Sequence, residues 1–262
     1  MGWGKTNKMN KIFANNGRTV MLAFDHGYFL GPITGMGQPA KVIPPLIPYV
    51  DALMLSPGIL TTCIEPDVDK AIVLRSSGGS SVLKDDLSNE EMILEVKEAV
   101  KLNATAIALS YFVGSPHEKQ TLAALAKAIN DAAKYEMPVL GVTAVGKELG
   151  KRDAKYLSLT CRMGAEFGAD IIKTYYCDNF EQVTSTCPVP IVVAGGPKLD
   201  TEREVLELVA NSMDQGARGV DLGRNVWQND APLAMIQAIK AIVHDDLNAV
   251  EALELYNDIK NQ

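Results

Sequence analysis

The stretch Ala169-Asp170-Ile171-Ile172-Lys173-Thr174-Tyr175-Tyr176 decides how this chain is read. It begins as an apolar, β-branched run, the composition of a buried strand. One lysine stands where that run ends. Burying an ammonium is costly, so lysines inside a core are rare unless paired or neutral. A lysine at the mouth of an apolar core is therefore a candidate amine nucleophile. Desolvation lowers the pKa of an amine, and the neutral form attacks a carbonyl to make a Schiff base. Alone, Lys173 reads more simply as a side chain that snorkels from a strand end to water. Its neighbours reverse that preference.

Seven other short apolar runs resemble this one: residues 19–25, 52–55, 71–74, 105–110, 137–143, 190–194 and 218–222. Helical patterns separate them. Leu122, Leu125, Ala126 and Ile129 recur at helical spacing, as do Val205, Leu208, Val209 and Ser212, with Asp200 as the expected N-cap. Ser88 followed by Glu91 predicts a capping box opening a helix to about Leu102. Helices are also expected over 154–167 and 180–186, with an irregular one over 39–49 among Pro44, Pro45 and Pro48. A closing helix carries Leu233, Ile236, Ile239 and Val243, and a polar one follows from about Asp246.

No tight hairpin turn joins any two of the runs. Alternation of strand and helix implies parallel strands with right-handed crossovers. Eight such units predict an α/β fold, a closed (β/α)8 TIM barrel. The expected organisation is a single domain over 1–262, with a polar N-terminal lead-in at 1–18 and an extra C-terminal helix at 245–262. A doubly wound sheet is the alternative. It would want a glycine-rich dinucleotide loop after an early strand, and the sequence after Asp25 has none.

The 262 residues are 47% hydrophobic and 22% charged, enough to build a sizeable core. A formal net charge of −7 argues against a nucleic-acid surface but leaves room for a local phosphate pocket. No apolar run approaches a membrane span, and the first residues lack the apolar core of a signal peptide. Cys63, Cys161, Cys177 and Cys187 form no CxxC pair and read as reduced thiols, so a cytoplasmic location is expected. His26, His117 and His244 are too scattered for a metal site, and none is expected.

In such a barrel the strand ends converge on one mouth. Here they bring Asp25, Ser56, Arg75, Ser110, Thr143, Lys173, Gly195-Gly196 and Gly223-Arg224. Asp25 reads either as a general acid/base or as a structural residue, an N-cap or an ion-pair partner of Lys173. Strand alternation sends His26 to the side opposite Asp25. Gly195-Gly196-Pro197 lets backbone amides approach a ligand, and Gly223-Arg224 adds a guanidinium suited to phosphate oxygens. Each turn alone equally well serves a tight strand-to-helix connection; together, after strands seven and eight, they favour phosphate. Cys177 reads as a partly buried small hydrophobe rather than an acyl-carrying thiol.

The segments 20–28, 171–176, 190–196 and 219–225 resemble the archaeal-type class I aldolase family, over nearly the whole chain. Within it they are most similar to the autoinducer-2 thiolase branch, as are Trp3-Gly4 and Val145-Gly146-Lys147. The resemblance implies a metal-independent enzyme with Lys173 as imine-forming lysine, Asp25 as the acid of the first strand, and Gly195, Gly196, Gly223 and Arg224 as phosphate-binding turns. It implies transfer of an acetyl group from a phosphorylated dione to coenzyme A as co-substrate, giving acetyl-CoA and dihydroxyacetone phosphate, with no bound cofactor. It also implies a homo-oligomer of ringed or stacked barrels. The sugar-cleaving members carry a tyrosine at the end of the fifth strand. Here that strand ends Gly141-Val142-Thr143-Ala144, and Tyr111, Tyr175 and Tyr176 lie on other strands. The departure weakens a fructose-bisphosphate aldolase reading and favours the thiolase branch. A protein of another class, a sugar-phosphate sensor that keeps the pocket without catalysis, is the remaining alternative.

Overall fold

The eight apolar runs close on themselves. In the computed structural model, which describes residues 2–144 and 152–261, they form one parallel barrel. In chain order its strands are Thr19–Ala23, Ala52–Leu55, Ala71–Arg75, Ala106–Tyr111, Val139–Thr143, Ile171–Tyr175, Ile191–Ala194 and Gly219–Leu222. The first pairs with both the second and the eighth, so no edge is left open. Burial on both faces explains why the strands read as unbroken apolar runs instead of alternating ones.

The two-residue period decides which side chains face the axis. Val20, Leu22 and Phe24 point out to the helices, while Met21 points in. Ile172 likewise packs outside and Ile171 inside. The inner set is apolar at the amino ends of the strands: Ala52, Met54, Ala71, Val73, Ala106, Ala108, Leu140 and Val192. The same parity, carried one step towards the carboxyl ends, delivers Arg75, Ser110, Lys173 and Asp221 to the axis. The fold thus stacks a polar layer on an apolar plug.

The polar N-terminal lead-in is largely helical. Trp3–Ile12 is a helix, and Ile12 is fully buried against the apolar layer. Lys5 ties it to Asp170 at 3.0 Å. The lead-in therefore closes the lower end of the barrel, burying a large side chain where water would otherwise meet the plug.

Three local expectations need correction. The Ser88–Glu91 spacing does not open a helix. Glu91–Met92 pairs antiparallel with Ser77–Gly78, and the helix is only Val96–Lys101. A capping box is a local motif, and here tertiary pairing over the barrel mouth overrides it. The capping box of the helix Glu202–Asp214 is supplied by Thr201 with Glu204, not by Asp200. The last helix, Ala249–Lys260, starts later than expected because Asp246 is left-handed (φ 58°) and ends the helix Pro232–Asp245. Asn248 and Glu251 then cap the new helix reciprocally. The helices expected over 154–167 and 180–186 are present as Ala154–Glu166 and Phe180–Thr186. Among the described residues no helix is long and apolar enough to cross a membrane.

Candidate active site

Above the plug, the barrel mouth holds a cavity of about 150 Å³. Lys173 enters it from the sixth strand with only 6% of its surface exposed. Its Nζ lies 2.8 Å from Oδ2 of Asp221 and 3.5 Å from Sδ of Met54. Asp221 comes from the middle of the eighth strand and is 1% exposed. Its Oδ1 has no hydrogen-bond partner among the described residues. Burial raises the Asp221 pKa, and Lys173 opposes that without cancelling it.

Asp25 is held differently. It does not pair with Lys173. Nε of Arg75 donates to its Oδ2 at 2.7 Å, and Nη1 of Arg75 donates to Ser110 at 2.7 Å. Burial works to raise the Asp25 carboxyl, but Arg75, His26 and Lys173 overcome it and bring it to about 2. Arg75 is itself pushed up: burial acts to lower it, and Tyr28, Asp25 and Glu90 outweigh that.

His26 is not turned away from Asp25. Its Nδ1 lies 3.6 Å from the carboxylate, and both residues line the cavity. Strand alternation stops at Ala23, and His26 has helical φ/ψ at the start of the turn Gly27–Leu30. The imidazole is wedged near Trp227 and Phe29. Burial lowers its pKa to about 4 despite the attraction of Asp25, aided by Lys173, Arg224 and Arg75. At neutral pH it is an uncharged imidazole.

The excursion between the third strand and its following helix roofs one side. Buried Glu90 accepts from Tyr28 at 2.6 Å and from Ser77 at 2.7 Å, and the guanidinium of Arg75 lies over the Tyr28 ring. The segment around Ser88–Glu91 thus braces the Asp25–Arg75 pair through Tyr28.

The two glycine turns face each other across the opposite wall. Asn225 staples them, its Nδ2 donating to the carbonyl of Gly195 at 3.0 Å and its Oδ1 accepting from the amide of Leu199 at 2.8 Å. A Cβ on Gly195 would stand 2.6 Å from that Nδ2, so the position admits only glycine without rearrangement. Gly196 has φ 67°, a left-handed conformation that glycine adopts freely. Gly195, Gly196, Gly223 and Arg224 all line the cavity, as the strand ends predict. Beside them the guanidinium of Arg152 lies 3.5 Å over the Tyr175 ring. Nε of Arg224 and Nε of Arg152 are both buried without a hydrogen-bond partner among the described residues. Two such donors near open backbone turns form a cradle suited to an anion.

The remaining expectations sort by parity. Arg75 and Ser110 face the cavity. Thr143 reaches its edge, but its hydroxyl donates outward to Thr174 at 2.8 Å. Ser56 precedes the helix Pro57–Cys63 and does not line the cavity. Cys177 is buried away from it, and burial with Asp178 and Asp153 raises its thiol to about 11. All four cysteines are free. Among the described residues no group of three or more His, Cys, Asp or Glu could hold a metal ion. Val145, Gly146 and Lys147 lie outside the described residues. Asp221 and Arg152 were not legible from the strand ends. The available signal for Asp221 was a lone carboxylate inside Gly219-Val220-Asp221-Leu222, a strand otherwise free of charge.

Comparison with known proteins fits this arrangement. Residues 19–229 match the model of the DeoC/LacD family of aldolases. The chain is 47% identical over 262 residues to an uncharacterized aldolase of Pasteurella multocida, covering 99% of this chain and 89% of that one. It is 46% identical over 258 residues to the 3-hydroxy-5-phosphonooxypentane-2,4-dione thiolase of Photorhabdus laumondii, covering 98% and 88%. A solved archaeal fructose-1,6-bisphosphate aldolase, with its catalytic lysine bound to the carbinolamine intermediate, superposes with TM-score 0.83 at 27% identity, covering 91% and 99%.

Proposed function

The chain belongs to the DeoC/LacD family of aldolases, and from that premise we propose a thiolase that works through an imine on Lys173. The observation that carries this reading is one buried amine, 2.8 Å from a buried carboxylate, in the cavity that also receives both glycine turns and Arg224. The substrate we assign is 3-hydroxy-5-phosphonooxypentane-2,4-dione, after the relative 46% identical to this chain. The acceptor we assign is the thiol of coenzyme A.

The chemistry follows from the substrate's own atoms. Its phosphate is held by Gly195, Gly196, Gly223, Arg224 and Arg152; the two arginine Nε groups, unpartnered among the described residues, supply charge-assisted donors. That end-on grip sets the adjacent carbonyl, C4, against Lys173. Condensation expels water and leaves a cationic imine. The coenzyme A thiolate adds to C2, and the C2–C3 bond then breaks. Its electron pair flows to C3 and is delocalised onto the imine nitrogen as an enamine. Acetyl-CoA departs. Protonation at C3 and hydrolysis of the imine release dihydroxyacetone phosphate. Nothing in the cavity is assigned to the nucleotide part of coenzyme A.

Aldol cleavage of a sugar phosphate is the second reading, favoured by the likeness to the archaeal aldolase. Against it, the fifth strand brings no phenol, and the hydroxyl of Tyr111 is tied outward to the Thr160 carbonyl at 2.8 Å. Supplying the dione with and without coenzyme A separates the two. A thiolase forms acetyl-CoA only when the thiol is present; an aldolase ignores it. Absence of acetyl-CoA from folded protein removes the thiolase assignment. A sensor would bind the phosphorylated ketone yet give no borohydride-reduced adduct on Lys173.

A further inference from the structure

Imine formation needs a group that takes a proton from the lysine and later returns one to the departing hydroxyl. Strand-end position points to Asp25, but geometry points elsewhere. We propose that Asp221 is the proton acceptor and donor for Lys173, and that Asp25 positions Arg75. This rests on the imine reading above.

Among the described residues Asp221 is the one carboxylate in contact with the reacting nitrogen, at 2.8 Å, and its second oxygen is unengaged. Asp25 spends its Oδ2 on Arg75, a cation that does not deprotonate in proteins. The Asp221 carboxyl is faced by Lys173 from the sixth strand, Asp25 from the first and Arg75 from the third. Burial raises its affinity for a proton, whereas Asp25 lies at about 2 and is a weak base.

The step balances within the pair. Nζ passes one proton to Asp221, leaving a neutral amine and a neutral acid. The nitrogen lone pair forms the C–N bond and the carbonyl π pair moves to oxygen. A second N–H proton reaches that oxygen, giving a carbinolamine. Asp221 then protonates the hydroxyl, water leaves, and the nitrogen lone pair forms C=N. The imine keeps one N–H and one positive charge, and Asp221 is again its counter-ion. No proton is drawn from solvent, so the site begins and ends as an ion pair.

The test is the rate of borohydride trapping on Lys173 of the full chain, with dihydroxyacetone phosphate as probe, from about pH 7 to 9. Wild type is expected to show a flat profile, because the exchanged proton stays inside the pair. Asp221→Asn should trap about 100-fold more slowly, with a rate that now depends on pH, since both proton transfers must reach solvent. Asp221→Glu should be slower than wild type yet flat. Asp25→Asn should lose rate through the disturbed Arg75 but stay flat. A purely structural role for Asp221 predicts slower trapping with no new pH dependence, and that result overturns the proposal. So does a pH-dependent Asp25→Asn. If Asp221→Asn fails to fold, the profiles of Asp221→Glu and Asp25→Asn decide alone. Absence of any wild-type adduct sinks the imine reading itself and this inference with it, whereas an adduct with an unaffected Asp221→Asn sinks only the inference.

Discussion

Two carboxylates inside one barrel meet cations at nearly equal distances, 2.7 Å for Asp25 with Arg75 and 2.8 Å for Asp221 with Lys173. Coulomb attraction alone would not tell the pairs apart. Their partners do. A guanidinium keeps its proton, so the first pair is a fixed dipole, braced by Ser110 and faced by the Tyr28 ring. An ammonium can hand a proton to a neighbouring base where a guanidinium cannot, and the role proposed for Asp221 uses that difference. A buried ion pair is thus either scaffold or machinery according to whether its cation can titrate.

The largest test of that contrast is Lys173→Met, which keeps the side-chain bulk and removes the amine. Turnover should fall by about 10⁴-fold or more, and mass spectrometry after borohydride should find no adduct. Folding should suffer little, because Asp221, with its raised pKa, can take a proton once its partner is gone. Arg75→Met should do the reverse to stability. It takes from Asp25 the cation that outweighs its burial and leaves Ser110 and the Tyr28 ring without their partner, and urea denaturation should register a loss of about 3–5 kcal/mol. Equal stability losses in the two variants would erase the distinction between the pairs.

Next in size is the anion cradle. Arg224→Gln and Arg152→Gln should each raise KM for the phosphorylated substrate about 10- to 100-fold, with kcat less affected, because each removes charge-assisted donors rather than the nucleophile. A fall in kcat at constant KM would place those arginines with the reacting carbon.

The smallest effect is on stability against pH. His26 titrates at about 4 in the fold and at 6.5 when free. The unfolded chain therefore binds the extra proton across that window, and stability falls as pH drops from 6.5 to 4. With part of the ring exposed, the loss is at most about 3 kcal/mol, and His26→Gln should flatten it in denaturant titrations. Asp25 acts lower. Its depressed pKa contributes stability above 3.8 that is lost as pH falls towards 2.

The strand in place of a helix after Ser88 and the pairing of Asp221 with Lys173 share one cause. Reading by local motif assigns Ser88–Glu91 to a cap, and reading by strand ends stops at Leu222. Both residues that matter, Glu90 and Asp221, earn their roles from partners far along the chain: Tyr28 for one, Lys173 for the other. Arg152 likewise takes its place from partners distant in the chain. It meets Tyr175 and Gly196 only after the barrel closes.

The chain's own pattern determined the eight parallel strands, because burial on both faces demands apolar runs and alternation with helices demands crossovers. It also determined that a lysine would stand inside a core and that two glycine turns would follow the last strands. Only closure of the barrel decided which acid that lysine meets. Pairing across the axis depends on strand register and side-chain parity summed around eight strands, and no local spacing encodes that sum.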